Sequence, residues 1–106
     1  MSIENIFENI PAKFPEEIFE HIITSRNFRI ERIISKGHHS PGNFYYDQKE
    51  NEWVILLKGK AKLKFEDNDK VIELNEGDYI NIPSHQKHRV EWTDPQQESI
   101  WLAVFY

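Results

Sequence analysis

Two segments of the chain carry residue types that bind divalent metal ions. Glu52 begins an apolar run that ends at Gly59, and His88 follows a proline turn that comes after Gly77. Carboxylate oxygen and neutral imidazole nitrogen both suit divalent first-row ions such as Mn²⁺, Fe²⁺, Ni²⁺ and Zn²⁺. If the two side chains lie on neighbouring strands, the sequence predicts a metal site there. It does not indicate the substrate.

The residues alone leave the remaining ligands open. Asp47 is the better third ligand, since an ionised carboxylate is a stronger donor to hard ions than an amide oxygen. Gln48 is the alternative. His38 and His39 lie in a loop rich in glycine and proline, which either stays in solvent or folds over the site and supplies one imidazole. His85 is expected at the rim, where it orients a ligand or is simply exposed.

A site without metal explains the same residues. If Val90 and Trp92 point inward, His88 does too, because side chains alternate along a strand. An inward imidazole needs a partner, and a hydrogen-bonded pair of His88 and Glu52 would satisfy it. Tyr46 and Trp92 are expected to line an apolar pocket with a few polar groups, which is the usual form of a small-molecule site.

The elements that position these residues are predicted to be strands. From Phe28 onward, short β-branched or alternating segments are separated by turn signals, which is typical of an all-β sandwich or barrel. Before them, Pro15 and the acids after it favour the first turn of a helix near residues 15–25. We therefore predict one domain over residues 1–106, with an N-terminal arm and helix in 1–27 and an antiparallel barrel in 28–106.

Composition excludes several classes of function. The net charge of −5 argues against a nucleic-acid partner, and the lack of cysteine excludes disulfides, thiolate zinc sites and cysteine nucleophiles. There is no signal-peptide pattern and no apolar segment near the ~20 residues of a membrane helix, so a cytoplasmic protein without a membrane partner is expected. The apolar arm and the exposed strand edge predict a homodimer.

The order of the two segments resembles the cupin superfamily, the small double-stranded β-helix barrels, and in particular its single-domain bacterial members. The first cupin motif ends in glutamate, six residues and glycine, which Glu52 and Gly59 match. The second motif is matched at three positions and changed at two. The matching residues are Gly77, Pro83 and His88, whereas His85 replaces a glycine and Trp92 replaces an asparagine.

The family pattern of ligands is incomplete in this chain. Cupins usually carry His-x-His three or four residues before the glutamate, and those places hold Tyr46 and Gln48 for the shorter gap or Tyr45 and Asp47 for the longer. The usual site of three histidines and one glutamate is therefore absent. The resemblance still implies a divalent metal ion (Fe, Mn, Ni or Zn) and a small metabolite at the barrel mouth. A metal-free barrel that binds or senses a sugar or metabolite is the alternative.

Overall fold

The computed structural model covers residues 1–106 and shows a double-stranded β-helix built from antiparallel strands, as predicted. The only helical element is one short 3-10 turn, Glu66–Asn68. The strands are β1 (Ile18–Thr24), β2 (Arg29–Ser35), β3 (Glu52–Lys58), β4 (Ala61–Phe65), β5 (Val71–Leu74), β6 (Tyr79–Ile82), β7 (His88–Thr93) and β8 (Ser99–Phe105). No helix has the length and apolar character needed to cross a membrane.

The strands form two sheets that enclose the core. One sheet has five strands in the order β1-β2-β8-β3-β6, and the other has three in the order β5-β4-β7. Side chains alternate along each strand, so β3 turns Glu52, Val54 and Leu56 toward the interior. Leu56 is fully buried in the core, whereas Glu52 lies at the end of the same row. This alternation places an acid on the inner face of the barrel.

The helix predicted near residues 15–25 is wrong, because this segment forms strand β1. It pairs with β2 from Ile18 opposite Ile34 to Thr24 opposite Arg29, with a bulge after His21. Isoleucine and threonine are β-branched and favour strands, and the edge of β2 offers backbone hydrogen bonds that a helix would leave unmade. Ile18, Phe19, Ile22 and Ile23 are also spaced like the residues on one face of a helix, so this spacing alone does not distinguish a helix from the observed strand.

Strand β1 is an outer edge of the five-stranded sheet. Phe19, Ile22 and Ile23 are exposed along it. An exposed edge with apolar side chains is a surface on which another chain can pair. The homodimer expected from the sequence would cover this edge, and it stays a prediction.

One buried arginine attaches the N-terminal arm to the barrel. Arg32 is 7% exposed, and its guanidinium donates to the carbonyl oxygens of Ile6 at 3.0 Å and Glu8 at 2.6 Å. It also donates to the carboxylate of Glu20 through two nitrogens, at 2.9 and 2.6 Å. The planar fork of donors makes this arrangement possible, and a lysine could not reproduce it.

Replacing Arg32 with alanine is expected to release the arm and lower the free energy of unfolding by about 3 kcal/mol, since several hydrogen bonds to a charged group are lost. The melting temperature should fall by roughly 10 °C, and the first ten residues should become sensitive to protease. Arg26→Ala is the control, because Arg26 is exposed. Equal effects of the two substitutions would contradict this role of Arg32.

Candidate functional site

A small cavity lies between the two sheets, at the end of the barrel where strand β3 begins. Its volume is about 60 Å³, which is room for only a few water molecules. Most of its wall is apolar, and no lysine or arginine lines it. The lining residues are Glu17, Phe19, Ile33, Tyr46, Gln48, Glu52, Val54, Leu63, Ile82, His88, Val90, Trp101 and Phe105.

The structure brings Glu52 and His88 together in this cavity. His88 Nε2 lies 3.2 Å from Glu52 Oε1, and the two residues are only 4% and 9% exposed. On its other side, His88 Nδ1 lies 2.9 Å from the carbonyl oxygen of Gln86. Because a carbonyl only accepts hydrogen bonds, Nδ1 carries a proton, and in the neutral ring Nε2 keeps its lone pair toward Glu52.

Glu52 also changes the protonation of His88. Burial lowers the pKa of the imidazole, because it disfavours the charged form. The hydrogen bond that protonated His88 donates to Glu52, the hydrogen bond to the Gln86 carbonyl and the negative charge of Glu52 act in the opposite direction and outweigh burial. The pKa of His88 therefore lies above its ordinary value of 6.5. In the free protein, the pair holds a proton more strongly than an isolated histidine would.

Tyr46 and Gln48 occupy the remaining polar positions of the cavity. Tyr46 pairs with His88 through two backbone hydrogen bonds of 2.7 and 3.2 Å, and the centres of their rings are 5.6 Å apart. The amide of Gln48 donates to Glu52 Oε1 at 3.1 Å. The gap of three residues between His-x-His and the glutamate therefore describes this chain. Tyrosine and glutamine occupy the two positions where the cupin pattern has histidines.

Asp47, which the sequence predicts as the better third ligand, does not line the cavity. Its carboxylate lies 2.8 Å from Nδ1 of His85, and both side chains are exposed outside the barrel. Tyr46 and Gln48 on either side face inward, so Asp47 must face outward. His85 adopts a left-handed φ of 62°, at the position where the cupin motif has glycine.

The loop histidines lie near the cavity without lining it. The ring of His38 stacks on Phe14 with 5.2 Å between centres, and its Nδ1 accepts from the backbone N–H of Lys36 at 2.9 Å. His39 Nδ1 lies 2.9 Å from the carbonyl oxygen of Ser40. The structure therefore adds no second imidazole to the pair of Glu52 and His88.

Trp92, which the sequence predicts as a pocket residue, also lies outside the cavity. Strand β4 pairs Lys62 with Trp92 and Leu63 with Val90, which leaves Glu91 as the extra residue of a β-bulge. The bulge interrupts the alternation along β7, so Trp92 leaves the inner face that Val90 keeps. Trp92 is exposed, and Lys62 Nζ lies 5.5 Å from the centre of its ring.

Glu17 is the cavity residue that sequence reasoning missed. Ser35 Oγ donates to Glu17 Oε2, and the indole N–H of Trp101 donates to Ser35 Oγ at 3.3 Å. Burial raises the pKa of Glu17, whereas the Ser35 hydrogen bond and the nearby His38 lower it by less. If residues 17–24 had been predicted as a strand, Glu17 and Phe19 would have been placed on the same face, because side chains two residues apart in a strand point the same way.

The donor set around the cavity is small for a metal centre. Glu52 and His88 are strong ligands, and the Gln48 amide is a weak one. No group of three or more histidine, cysteine, aspartate or glutamate side chains is arranged to hold an ion. Cupin folds nevertheless include metal-containing proteins, and the similar fold of HppE is known with Fe(II).

The fold and the two motifs agree with the family comparison. The cupin domain family model matches residues 31–105, so this chain belongs to the cupin superfamily. Two relatives from Rhodococcus, both named L-ectoine synthase, share moderate identity with it. The protein of R. opacus (strain B4) is 37% identical over 101 residues, covering 81% of this chain and 74% of the relative. The protein of R. jostii (strain RHA1) is 41% identical over 75 residues, and the match spans 71% of this chain and 52% of the relative.

A solved structure resembles the chain over nearly its full length. It is a provisionally named mannose-6-phosphate isomerase from Ralstonia eutropha JMP134, with a TM-score of 0.94 and 37% identity. The similarity covers 99% of this chain and 97% of that protein. The N-terminal arm and β1 are therefore part of a fold that both proteins share.

Proposed function

We propose that this cupin binds a divalent metal ion at Glu52 and His88 and holds a small metabolite in the adjoining cavity. The observation that carries the proposal is the 3.2 Å separation of His88 Nε2 and Glu52 Oε1. Nitrogen and oxygen ligands lie about 2.0–2.2 Å from an ion such as Zn²⁺, so two neighbouring ligands of one ion are about 2.8–3.6 Å apart, depending on whether the geometry is octahedral or tetrahedral. The separation of the two side chains lies within this range.

Gln48 completes the proposed ligand set. Its amide already contacts the carboxylate oxygen that would bind the ion, and rotation of the amide by half a turn presents its oxygen instead. Amide oxygen is a weaker ligand than imidazole, so we expect weaker binding than at a site with three histidines. Remaining positions would be open to water or ligand.

The other cavity residues suit the binding of a small polar molecule. A bound divalent ion would supply Lewis-acid polarisation of a ligand oxygen. The apolar wall keeps bulk water out, which strengthens each polar contact inside. Burial and the charges of Glu17 and Glu52 raise the pKa of Tyr46, so its hydroxyl stays protonated and can donate a hydrogen bond to a ligand.

The names of the relatives suggest activities that differ in how well they suit this cavity. L-ectoine synthase is the first activity to assay, because two relatives carry that name at 37% and 41% identity. The mannose-6-phosphate isomerase name is less well supported by the cavity wall. A phosphate group would depend on the metal ion alone, because no lysine or arginine lines the wall.

A metal-free binding barrel is the second candidate. The hydrogen bonds of Glu52 to His88 and to Gln48 already satisfy one buried carboxylate oxygen without an ion. A buried carboxylate paired in this way is stable in the folded protein. Under this alternative, Glu52 and His88 bind the metabolite directly.

The two candidates are separated by thermal shift. Adding Mn²⁺, Fe²⁺, Ni²⁺ or Zn²⁺ to chelated protein should raise its melting temperature by roughly 10 °C at about 100 times the dissociation constant. His88→Ala and Glu52→Ala should lose most of this increase. Asp47→Asn is the matched control and should keep it, because Asp47 faces away from the cavity. If none of the four ions stabilises the wild type, the metal proposal fails.

Metal affinity should also fall as the pH falls, because His88 must lose its proton to bind an ion. Since its pKa is raised, competition begins above pH 6.5 and then costs about tenfold in affinity per pH unit. Without metal, the raised pKa stabilises the fold fully below about pH 6.5, and this contribution is lost as the pH rises through the folded-state pKa. His88→Gln should flatten both profiles, measured by calorimetric titration and by melting curves. A metal affinity that does not change between about pH 5.5 and 8 would contradict ligation by His88.

A further inference from the structure

The cavity holds a second carboxylate that the proposed metal site does not use. Glu17 directly precedes strand β1 and lines the same space as Glu52. Its Oε2 accepts the hydrogen bond from Ser35, but its Oε1 has no hydrogen-bond partner in the protein. A carboxylate oxygen that faces a cavity without a donor is suited to receive one from a ligand.

We propose that the ligand of this cavity carries an ammonium group, and that Glu17 is the residue that binds it. The inference rests on the proposed function only in using the same cavity. It goes further by assigning a chemical class to the ligand and a role to a residue outside the metal set. Glu17 thereby determines specificity.

The wall of the cavity supports an ammonium group over other charged groups. Aromatic rings line it beside Glu17, and the faces of such rings attract cations. These aromatic residues are Phe19, Tyr46, Trp101 and Phe105. An anionic group would instead meet the carboxylate of Glu17, since the one cationic side chain of the wall, protonated His88, already faces Glu52.

The environment of Glu17 also lacks a cation that would pair with it directly. Burial is the largest influence on this carboxyl and raises its pKa. The hydrogen bond from Ser35 and the electrostatic influence of the nearby His38 lower the pKa of Glu17 by less than burial raises it. His38 is held by the contact with Phe14 and by the Lys36 N–H, so it is not free to move onto Glu17. A ligand ammonium would supply the missing positive charge.

The test compares three probes of similar size and different charge: propylammonium, 1-propanol and propionate. Each is titrated into chelated, ¹⁵N-labelled protein, and binding is followed at the indole N–H of Trp101, which donates to Ser35 beside Glu17. Propylammonium should bind at least about tenfold more tightly than propanol, equivalent to about 1.4 kcal/mol, and propionate should bind most weakly.

Glu17→Gln keeps an acceptor for Ser35 and removes the charge, so it should abolish the preference for propylammonium. Glu16→Gln removes the same charge from an exposed neighbour and should leave the preference unchanged. Equal binding of propanol and propylammonium, or a preference that survives in Glu17→Gln, would overturn the inference. Because these titrations contain no metal, their outcome is independent of the thermal shifts with Mn²⁺ or Zn²⁺, which test the metal site.

Discussion

Replacing Gly59 with alanine should lower the free energy of unfolding by more than about 3 kcal/mol, or prevent folding altogether. Gly59 has a φ of +95° in the turn between β3 and β4, a conformation that side chains disfavour. A Cβ atom there would also lie 2.7 Å from Ser99 Cα and 2.9 Å from the carbonyl oxygen of Glu98. Because both of these atoms belong to backbone, the strand β8 would have to move.

Gly77 provides the matched control for this substitution. It is the glycine of the second motif and has a similar φ of +90°, but a Cβ atom there would meet nothing within 4 Å. Gly77→Ala should therefore cost only the backbone strain, about 1 kcal/mol. Melting curves should show a loss of roughly 4 °C for Gly77→Ala and at least three times that for Gly59→Ala. Equal losses would mean that the contact with β8 is unimportant.

The central strands could be predicted because their alternating apolar and polar side chains, separated by turns, fit only a strand. Residues 71–74 and 79–82 form strands that are separated by a polar turn, and the inward-facing side chains of β3 follow from simple alternation. Glu52 and His88 meet because they belong to strands of facing sheets. The motif spacing was enough to pair them, since the cupin barrel always brings these two positions together.

The errors arise where one residue changes the face of a strand. The gap between the expected His-x-His and Glu52 can be three or four residues long, and this length decides whether Gln48 or Asp47 faces the cavity. A bulge at Glu91 turns Trp92 outward, and nothing in the local sequence indicates it. Residues 18–24 form a strand because they pair with the edge of β2. This contact is made in the folded protein and cannot be inferred from the spacing of apolar residues within the segment. Glu17 was missed for the same reason.

Of the single substitutions, placing a histidine at position 48 should produce the largest gain in metal affinity. Gln48 stands at one of the two histidine positions of the cupin pattern and contacts the carboxylate of Glu52 at 3.1 Å. Gln48→His would replace a weak amide ligand with imidazole, a good ligand for Zn²⁺, Ni²⁺ and Fe²⁺. We expect an increase of about 100-fold, equivalent to about 2.7 kcal/mol, measured by competition with a chelator.

The control for this gain is the neighbouring substitution Asp47→His, which adds the same imidazole on the outer face. It should leave the affinity within about threefold of the wild type, because residue 47 contacts His85 and not the cavity. Adding Tyr46→His to Gln48→His should raise the affinity further, since Tyr46 also lines the cavity and would complete three histidines and one glutamate. A larger gain from Asp47→His than from Gln48→His would show that the longer gap governs the site, and the positions assigned to Tyr46 and Gln48 would then be wrong.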